Sequence, residues 1–187
     1  MRAAVFLDRD GTIIEDVGYL RRLEQVVFFP WSIDAIRALN RAGLPVVLIT
    51  NQSGIARGLL TEALVDETHR FIADRLAAGG ASIDGYYYCP HHPHGKVEPY
   101  ARECDCRKPG CGMIHRAAAD LGLDPTRSFV VGDTWLDVGA GRSAGARTIL
   151  LRQRDAAPAA PPGLEADAIV DNLAAAASWI LTHVDRA

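Results

Sequence analysis

Short apolar runs alternate along the chain with stretches in which apolar residues recur every three or four positions. Runs of this length that are apolar throughout are typical of strands buried on both faces of a sheet. The alternation therefore predicts an α/β fold, a parallel sheet covered by helices on both faces. The predicted strands span residues 3–7, 45–49, 83–88, 129–131 and 148–151.

Signals for helix ends agree with this alternation. Pro30 lies near the start of the first helix-period stretch and Gly43 follows its end, where helices prefer these residues. In two later stretches the apolar residues fall on one helical face, as in helices that pack on a sheet. These two stretches span residues 64–76 and 114–121.

The C-terminal part of the chain differs in composition from the rest. Residues 155–163 are rich in Ala and Pro, which predicts a loop or tether. Residues 168–170 suit a short edge strand, and 173–184 have the apolar spacing of a last helix. We therefore predict a core domain over 1–154, with the tether, strand and helix of 155–187 packed on that same domain.

Composition and charge narrow the class of protein. The chain has 187 residues, 49% hydrophobic and 23% charged, which is typical of one soluble globular domain. A net charge of −3 without a basic stripe argues against nucleic acid as a partner. No apolar run approaches the ~20 residues that span a bilayer, and Asp8 comes too early for a signal peptide. We expect a cytoplasmic monomer with no membrane or nucleic-acid partner.

Polar clusters follow several of the predicted strands at the point where each strand ends. In an open parallel sheet, ligands bind outside the carboxyl ends of the strands. Three clusters come directly after apolar runs, and a fourth, rich in cations, precedes a predicted helix. We therefore expect a site where these clusters meet. They span residues 8–12, 50–54, 132–134 and, for the cationic cluster, 107–109.

Asp8 and Asp10 are separated by one residue at the end of the first predicted strand. Because alternate side chains of a strand point to the same side, both carboxylates can face one cleft, and Gly11 lets the backbone turn away. One carboxylate can attack phosphorus while the other transfers protons, provided that a metal ion offsets the charge of the phosphate. The alternative is a polar turn that caps the next segment.

The residues around this pair carry a family resemblance. The segment 6–12, Phe-Leu-Asp-Arg-Asp-Gly-Thr, resembles the first motif of the haloacid dehalogenase superfamily of phosphohydrolases. The resemblance implies a Rossmann-like fold, with Asp8 as nucleophile and Asp10 as general acid and base. Asp10 would protonate the leaving oxygen and then deprotonate the water that hydrolyses the acyl phosphate.

Three further positions match the other motifs of this superfamily. Thr50 matches a hydroxyl that holds a phosphoryl oxygen, and Lys108 matches an amine that neutralises charge on the nucleophile and the phosphoryl group. Asp133 matches the metal-binding acid of the fourth motif. The resemblance implies Mg²⁺ bound by Asp8, Asp133 and the backbone carbonyl of Asp10.

A cluster of cysteine and histidine lies between the second motif and Lys108. Cys89 and His91 on one side, and Cys104 and Cys106 on the other, bracket a loop rich in His, Pro and Gly. Three sulfurs and one imidazole make a closed tetrahedral site typical of structural zinc, and in a cytosolic chain the clustering favours metal over disulfides. We predict a zinc loop at 89–106. His92 or His94 as the imidazole, and Cys111 as a thiol, are the alternatives.

Longer segments resemble one branch of the superfamily, the phosphatases that remove the C7 phosphate from D-glycero-D-manno-heptose 1,7-bisphosphate. The matching segments are 16–19, 50–58, 87–93 and 104–109. The resemblance implies a small phosphorylated sugar as substrate. It implies that Arg107 recognises the second phosphate, for which a guanidinium is well suited. The substrate-binding residues expected are Asp16, Val17, Gly18, Tyr19, Asn51, Gln52, Ser53, Arg57 and Arg107.

The chain also departs from the family pattern near Lys108 and Asp133. Thr134 stands where the family often has a lysine, and Cys111 is an additional thiol of unknown use. The superfamily often has a second acid a few residues after the fourth-motif aspartate. Asp137 occupies that place, although it fits equally well on the exposed face of the following helix.

Two other functions compete with a heptose phosphatase. A histidinol-phosphate phosphatase or a broader sugar phosphatase shares the zinc pattern, but the twelve residues between His91 and Cys104 favour the heptose branch. A phosphosugar-binding zinc protein without catalysis would not need Asp10 beside Asp8. The stretches between Asp8, Thr50 and Lys108 leave no room for a separate cap domain, so we expect an open phosphate pocket.

Overall fold

The computed structural model describes residues 1–152 and 160–184, which form one six-stranded parallel sheet and five α-helices. The prediction of a Rossmann-like α/β fold is confirmed. The strands are β1 (Val5–Leu7), β2 (Val46–Asn51), β3 (Gly85–Cys89), β4 (Phe129–Gly132), β5 (Arg147–Leu151) and β6 (Ala168–Val170). The helices are α1 (Ser32–Arg41), α2 (Glu62–Ala78), α3 (Gly112–Leu121), α4 (Trp135–Ser143) and α5 (Leu173–His183).

The strand order places the end of β1 at the centre of the binding edge. The order across the sheet is β3-β2-β1-β4-β5-β6, and every pairing is parallel. The chain moves outward from β1 to β3 on one side and then returns to β4 on the other. Such a reversal opens a crevice at the carboxyl ends of the strands, beside β1.

Apolar side chains cover both faces of this sheet, which is why its strands are apolar throughout. Val5 and Leu7 pack into one core cluster with residues of α1, α2 and α5. Ala4 and Phe6 pack into a second cluster with residues of α3 and α4. Because successive side chains of β1 point to opposite faces, the two clusters lie on either side of the sheet.

The ends of α1 lie close to the predicted signals. The helix begins at Ser32, two residues after Pro30, and the hydroxyl of Ser32 donates to the carbonyl of Ile13. Gly43, just beyond the helix, has a φ of +77°, a conformation that favours glycine. The contact from Ser32 to Ile13 ties α1 to the loop that follows β1.

The C-terminal strand and helix extend the sheet and cover it. β6 pairs in parallel with β5, and Leu173 and Ile180 of α5 are buried in the core that includes α1. Residues 155–159 of the predicted tether lie outside the described residues. Within 1–152 and 160–184, no helix is both long and apolar enough to cross a membrane.

Candidate active site

The ammonium group of Lys108 makes three hydrogen bonds in the site. Its Nζ lies 2.7 Å from Oδ1 of Asp8, 2.5 Å from Oδ1 of Asp137 and 3.1 Å from the carbonyl of Ile49. The side chain is only 4% exposed. A buried ammonium needs such partners, because it has lost its hydration. Lys108 therefore ties Asp8, directly after β1, to the start of α4.

The predicted catalytic and magnesium-binding residues surround one shared hollow. This hollow has a volume of about 160 Å³ and is open to solvent. It lies at the carboxyl ends of β1, β2 and β4, where the topology places a crevice. Its lining consists of Asp8, Asp10, Asp16, Gly18, Thr50, Asn51, Lys108, Asp133, Thr134 and Leu136.

Negative charge dominates the lining and shifts its titrating groups. Burial raises the pKa of Asp8 well above its ordinary value, with Lys108 opposing this and neighbouring carboxylates adding to it. Burial, together with Asp137, raises the pKa of Asp133 to about 7. Burial would lower the pKa of Lys108, but attraction to Asp137 and Asp8 outweighs it and the pKa rises. The hollow therefore favours a further cation.

Two carboxylates of the site suit a magnesium ion. Carboxylate oxygens of Asp8, Asp133 and Asp137 lie within 4.8 Å of one another. Both oxygens of Asp137 are already engaged, Oδ1 by Lys108 and Oδ2 by the backbone and hydroxyl of Thr134. Asp8 and Asp133 therefore fit the hard oxygen ligation that Mg²⁺ prefers. Burial, and to a lesser extent neighbouring carboxylates, raise the pKa of each, and a bound cation would favour the ionised forms.

The structure decides where Asp137 lies. Its side chain is 1% exposed, so the alternative of an exposed helix face is wrong. At the start of α4, Oδ2 of Asp137 accepts from the backbone N–H of Thr134 at 3.1 Å, and the Asp137 N–H donates to the Thr134 carbonyl. Asp137 therefore positions Lys108 and caps the helix. The hydroxyl of Thr134 donates to Asp137 at 2.6 Å.

Gln52 lies behind the hollow and connects two of its lining residues. Its amide nitrogen donates to Oδ2 of Asp10 at 3.1 Å and to the hydroxyl of Thr50 at 2.9 Å. The side chain is buried. Gln52, predicted as a substrate-binding residue, is thus seen holding Asp10 and Thr50 in position.

Asn51, another predicted substrate residue, lines the hollow and also fixes the backbone of Lys108. Its Oδ1 accepts from the Lys108 N–H at 3.1 Å, and its Nδ2 donates to the Lys108 carbonyl at 3.2 Å. This pair of bonds joins the end of β2 to the loop that carries the cation. The placement of the Lys108 side chain therefore depends on Asn51.

The segment expected to contact the sugar forms one wall of the hollow. Asp16 and Gly18 line it, and Oδ1 of Asp16 accepts from the Gly18 N–H at 2.7 Å. Val17 is 41% exposed beside them. Tyr19 packs instead against a small apolar cluster that includes Ile55.

The remaining predicted substrate residues lie outside the lining of the hollow. Ser53 accepts at its carbonyl from the Arg57 N–H. Nη2 of Arg57 lies 3.0 Å from Nε2 of His92, and Nη1 of Arg107 donates to the carbonyl of His91 at 3.4 Å. Both guanidinium groups therefore contact the Cys/His loop.

Cys89, His91, Cys104 and Cys106 converge on one point. The three sulfur–sulfur distances are 3.3, 3.3 and 3.5 Å, and Nδ1 of His91 lies 3.4 Å from the sulfur of Cys106. Around a tetrahedral zinc ion with sulfur bonds of about 2.3 Å, neighbouring sulfurs lie about 3.8 Å apart. The four ligand atoms thus have nearly the spacing of a closed tetrahedral site.

The alternative ligands lie elsewhere in the same loop. His92 pairs with Arg57, and its Nδ1 accepts from the backbone of His94. Cys111 precedes α3, with its sulfur 3.9 Å from Nδ1 of His115. Among the described residues, the group of four ligands includes His91 and not the competitors.

Sequence reasoning missed the place of Arg9. The residue between the two aspartates points the other way, as expected, but into the protein, where it is 2% exposed. Its guanidinium turns back to pair with Asp10, Nη2 lying 2.9 Å from Oδ2. A charged residue between two acids was the available signal, but a charged residue type does not by itself indicate burial.

Comparisons with known proteins agree with this fold. The HAD-hydrolase-like family model matches residues 105–176. A D-glycero-beta-D-manno-heptose-1,7-bisphosphate 7-phosphatase of Pasteurella multocida is 45% identical over 151 residues, covering 81% of this chain and 82% of that protein. Among crystal structures, the D,D-heptose 1,7-bisphosphate phosphatase of B. bronchiseptica, solved with magnesium and phosphate, has a TM-score of 0.82 and 32% identity, covering 97% and 99% of the two chains. A HAD-like phosphatase from Mesorhizobium loti has a TM-score of 0.85 and 35% identity, covering 99% and 88%.

The parallel sheet and the aspartate pair after its central strand define a haloacid-dehalogenase-like phosphohydrolase. The similarity is more specific than membership of this superfamily, because relatives of one kind match most of the chain at 40–46% identity. The chain belongs to the family of D-glycero-beta-D-manno-heptose-1,7-bisphosphate 7-phosphatases. The expectation from the sequence motifs is thereby confirmed.

The raised pKa of Asp133 predicts how the stability of the metal-free protein depends on pH. With a pKa of about 7 when folded and 3.8 as the ordinary value, the folded protein binds the extra proton between about pH 4 and 7. The contribution of this group to stability therefore falls as pH rises through that window. We expect Asp133→Asn to gain stability relative to the native chain from pH 4 to 8, by at most a few kcal/mol, measured by denaturant unfolding without added Mg²⁺.

Comparison of the two proteins removes the effect of His69, whose lowered pKa gives the opposite trend in part of the same range. Adding Mg²⁺ at pH 8 should stabilise the native protein and leave Asp133→Asn nearly unchanged. A stability difference that stays constant with pH, or an equal response of both proteins to Mg²⁺, would contradict the role of Asp133 at a cation site.

Proposed function

We propose that this chain hydrolyses the C7 phosphate of D-glycero-beta-D-manno-heptose 1,7-bisphosphate, giving the 1-phosphate and inorganic phosphate. The supporting observation is the hollow in which Asp8, Asp10, Thr50 and Lys108 meet. The relatives that match most of the chain carry this activity in their names. We infer the substrate from the names of these relatives and the reaction mechanism from the geometry of this site.

Asp8 is the nucleophile in this proposal. Its Oδ1 is held by Lys108, which leaves the other carboxylate oxygen for attack on phosphorus. The bond from the C7 oxygen to phosphorus breaks as the bond from Asp8 to phosphorus forms. Asp10 gives its proton to the leaving oxygen, so the sugar departs as an alcohol and not as an alkoxide.

The second step regenerates the enzyme. Asp10, now a carboxylate, takes a proton from a water molecule that attacks the phosphorus of the aspartyl phosphate and releases inorganic phosphate. Thr50 and Lys108 hold phosphoryl oxygens in both steps. Mg²⁺ held by Asp8, Asp133 and the backbone carbonyl of Asp10 would offset the negative charge that the phosphate dianion brings to the hollow.

A structural zinc ion is the second cofactor in this proposal. Cys89, His91, Cys104 and Cys106 fill all four positions of a tetrahedral ion, which leaves none for catalysis. The loop they hold is docked on a neighbouring segment, since the N–H groups of Lys96 and Val97 both donate to the carbonyl of Ala56. Because Lys108 follows this cluster by two residues, zinc would also fix the catalytic ammonium.

Two arginines and the C-terminal segment have further roles in this proposal. We propose that Arg107, with Arg57 as an accessory cation, binds the second phosphate of the substrate, because both guanidinium groups lie on the Cys/His loop near Lys108. We also propose that residues 155–187 complete the same domain as 1–154, since Leu173 of α5 is buried in its core. A soluble sugar phosphate as substrate is in keeping with a cytoplasmic monomer.

A comparison of substrates tests the proposed function. Phosphate release with Mg²⁺ should give a kcat/KM on the heptose bisphosphate at least ~10²-fold above that on histidinol phosphate. Asp8→Asn should lower turnover by at least ~10³-fold while the protein stays folded, because the nucleophile is lost. A higher kcat/KM on histidinol phosphate would reject the substrate, and full turnover by Asp8→Asn would reject the covalent mechanism.

The zinc assignment predicts different results for two cysteines of the same loop. Native protein should contain about one zinc per chain, and Cys104→Ser should lose it and unfold at a lower temperature, because folding of the loop is coupled to metal binding. Cys111→Ser is the matched control and should keep both zinc and stability. Elemental analysis and thermal unfolding measure these outcomes. A metal-free Cys104→Ser with native stability and activity would contradict the assignment.

A further inference from the structure

We propose that Arg9 is a positioning residue that fixes the carboxylate of Asp10 for proton transfer. The proposal rests on the proposed function, in which Asp10 is the general acid and base. It goes beyond that function because it assigns a role to a buried side chain outside the hollow. Arg9 and Asp10 are adjacent in sequence, so the interaction lies within the loop after β1.

Arg9 contacts both oxygens of the Asp10 carboxylate. Its Nε lies 3.2 Å from Oδ1 and 3.1 Å from Oδ2, and its Nη2 lies 3.0 Å from Oδ1. Contacts to both oxygens restrict rotation of the carboxylate about its last bond, which a single hydrogen bond would not. The hydrogen bonds that the Arg9 side chain makes among the described residues all go to Asp10.

The backbone of Arg9 is fixed as firmly as its side chain. The N–H groups of Ile13 and Ile14 donate to the Arg9 carbonyl at 2.9 and 3.1 Å, and the Gly11 N–H donates to the carbonyl of Ile14 at 2.7 Å. These bonds close a tight turn directly after Asp10. Gly11 has a φ of +79°, which suits such a turn. The guanidinium therefore starts from a defined position.

The surroundings of Arg9 keep its charge directed at Asp10. Burial, with the charge of Arg9 as the next cause, lowers the pKa of His69 on α2 to about 3, so this imidazole is neutral near pH 7. His69 is itself packed against the rings of Tyr86 and Tyr88. A neutral neighbour does not repel the guanidinium, and Asp10 is left as its charged partner.

Asp10 is thus held from two sides and open on a third. Arg9 and Gln52 bond its oxygens from within the protein, while the carboxylate still lines the hollow. A general acid works only when its proton points at the leaving oxygen, so small misplacements cost large factors in rate. Loss of Arg9 should therefore impair the steps that use Asp10 and spare the others.

Leaving groups separate this role from a general structural one. An alkyl phosphate needs an acid at its leaving oxygen, whereas 2,4-dinitrophenyl phosphate releases a stable anion and does not. For Arg9→Met, we expect kcat/KM to fall at least ~30-fold on the best alkyl phosphate of the substrate comparison and less than ~3-fold on the aryl ester. Arg9→Lys keeps the positive charge but loses the planar set of N–H donors of the guanidinium. Its kcat/KM on the alkyl phosphate should lie between those of the native protein and Arg9→Met.

Two controls make the result decisive. Arg147→Met, the same change at the opposite end of the sheet, should change kcat/KM only slightly and by the same factor on both substrates. Asp10→Asn should lose kcat/KM on the alkyl phosphate and keep it on the aryl ester. In the double variant, Arg9→Met should lower kcat/KM on the alkyl phosphate by less than a further ~3-fold, because both residues act through the Asp10 carboxylate. Circular dichroism confirms folding, and Arg9→Lys replaces Arg9→Met if the latter does not fold.

The outcomes of this experiment separate the two proposals. If Asp10→Asn is selective for the alkyl ester and the Arg9 variants lose both activities equally, the role of Arg9 is rejected and the proposed function stands. If Asp10→Asn shows no selectivity, or the native protein releases no phosphate from alkyl esters, the proposed function itself is rejected. Selectivity shared by Asp10→Asn and the Arg9 variants supports both.

Discussion

The site depends on one buried ammonium group placed between two carboxylates. Lys108 joins Asp8 on the central strand to Asp137 at the start of α4, and all three side chains are nearly inaccessible to water. Such a cluster is stable only while its charges are balanced and its hydrogen bonds are satisfied. The remaining carboxylates, Asp8 and Asp133, explain why the hollow suits a divalent cation, which would in turn offset the charge of a phosphoryl group.

The fold places these groups together by a simple arrangement. β1 lies between β2 and β4, so the polar residues at the ends of these three strands meet over one crevice. Lys108 reaches that crevice from a loop, and two elements hold the loop. The amide of Asn51 bonds its backbone, and the Cys/His cluster precedes it by two residues. The Lys108 ammonium is therefore held in a defined position although it lies on a long polar loop.

Much of this could be predicted from the sequence, because the signals are local. Apolar runs predict the strands within a few residues, and motif spacing indicates which polar residues belong to one site. The burial of Arg9 and the bonding of Asp137 were not predictable in this way, since each depends on partners from elements distant in sequence. The sequence fits Asp137 equally well to an exposed face of α4, but its contact with Lys108, which lies on a loop, buries it. Tertiary packing decides such positions, and helix periodicity does not.

The proposed chemistry depends on a covalent bond between the carboxylate of Asp8 and phosphorus. Acid quenching of the enzyme during turnover with Mg²⁺, followed by borohydride reduction, converts an aspartyl phosphate to homoserine, which peptide mass spectrometry locates. If Asp8 is the nucleophile, homoserine appears at position 8, depends on substrate and is absent from Asp8→Asn. Reduction at another aspartate, or Asp8 left unmodified under conditions that trap the intermediate in a known phosphatase of this superfamily, would contradict it.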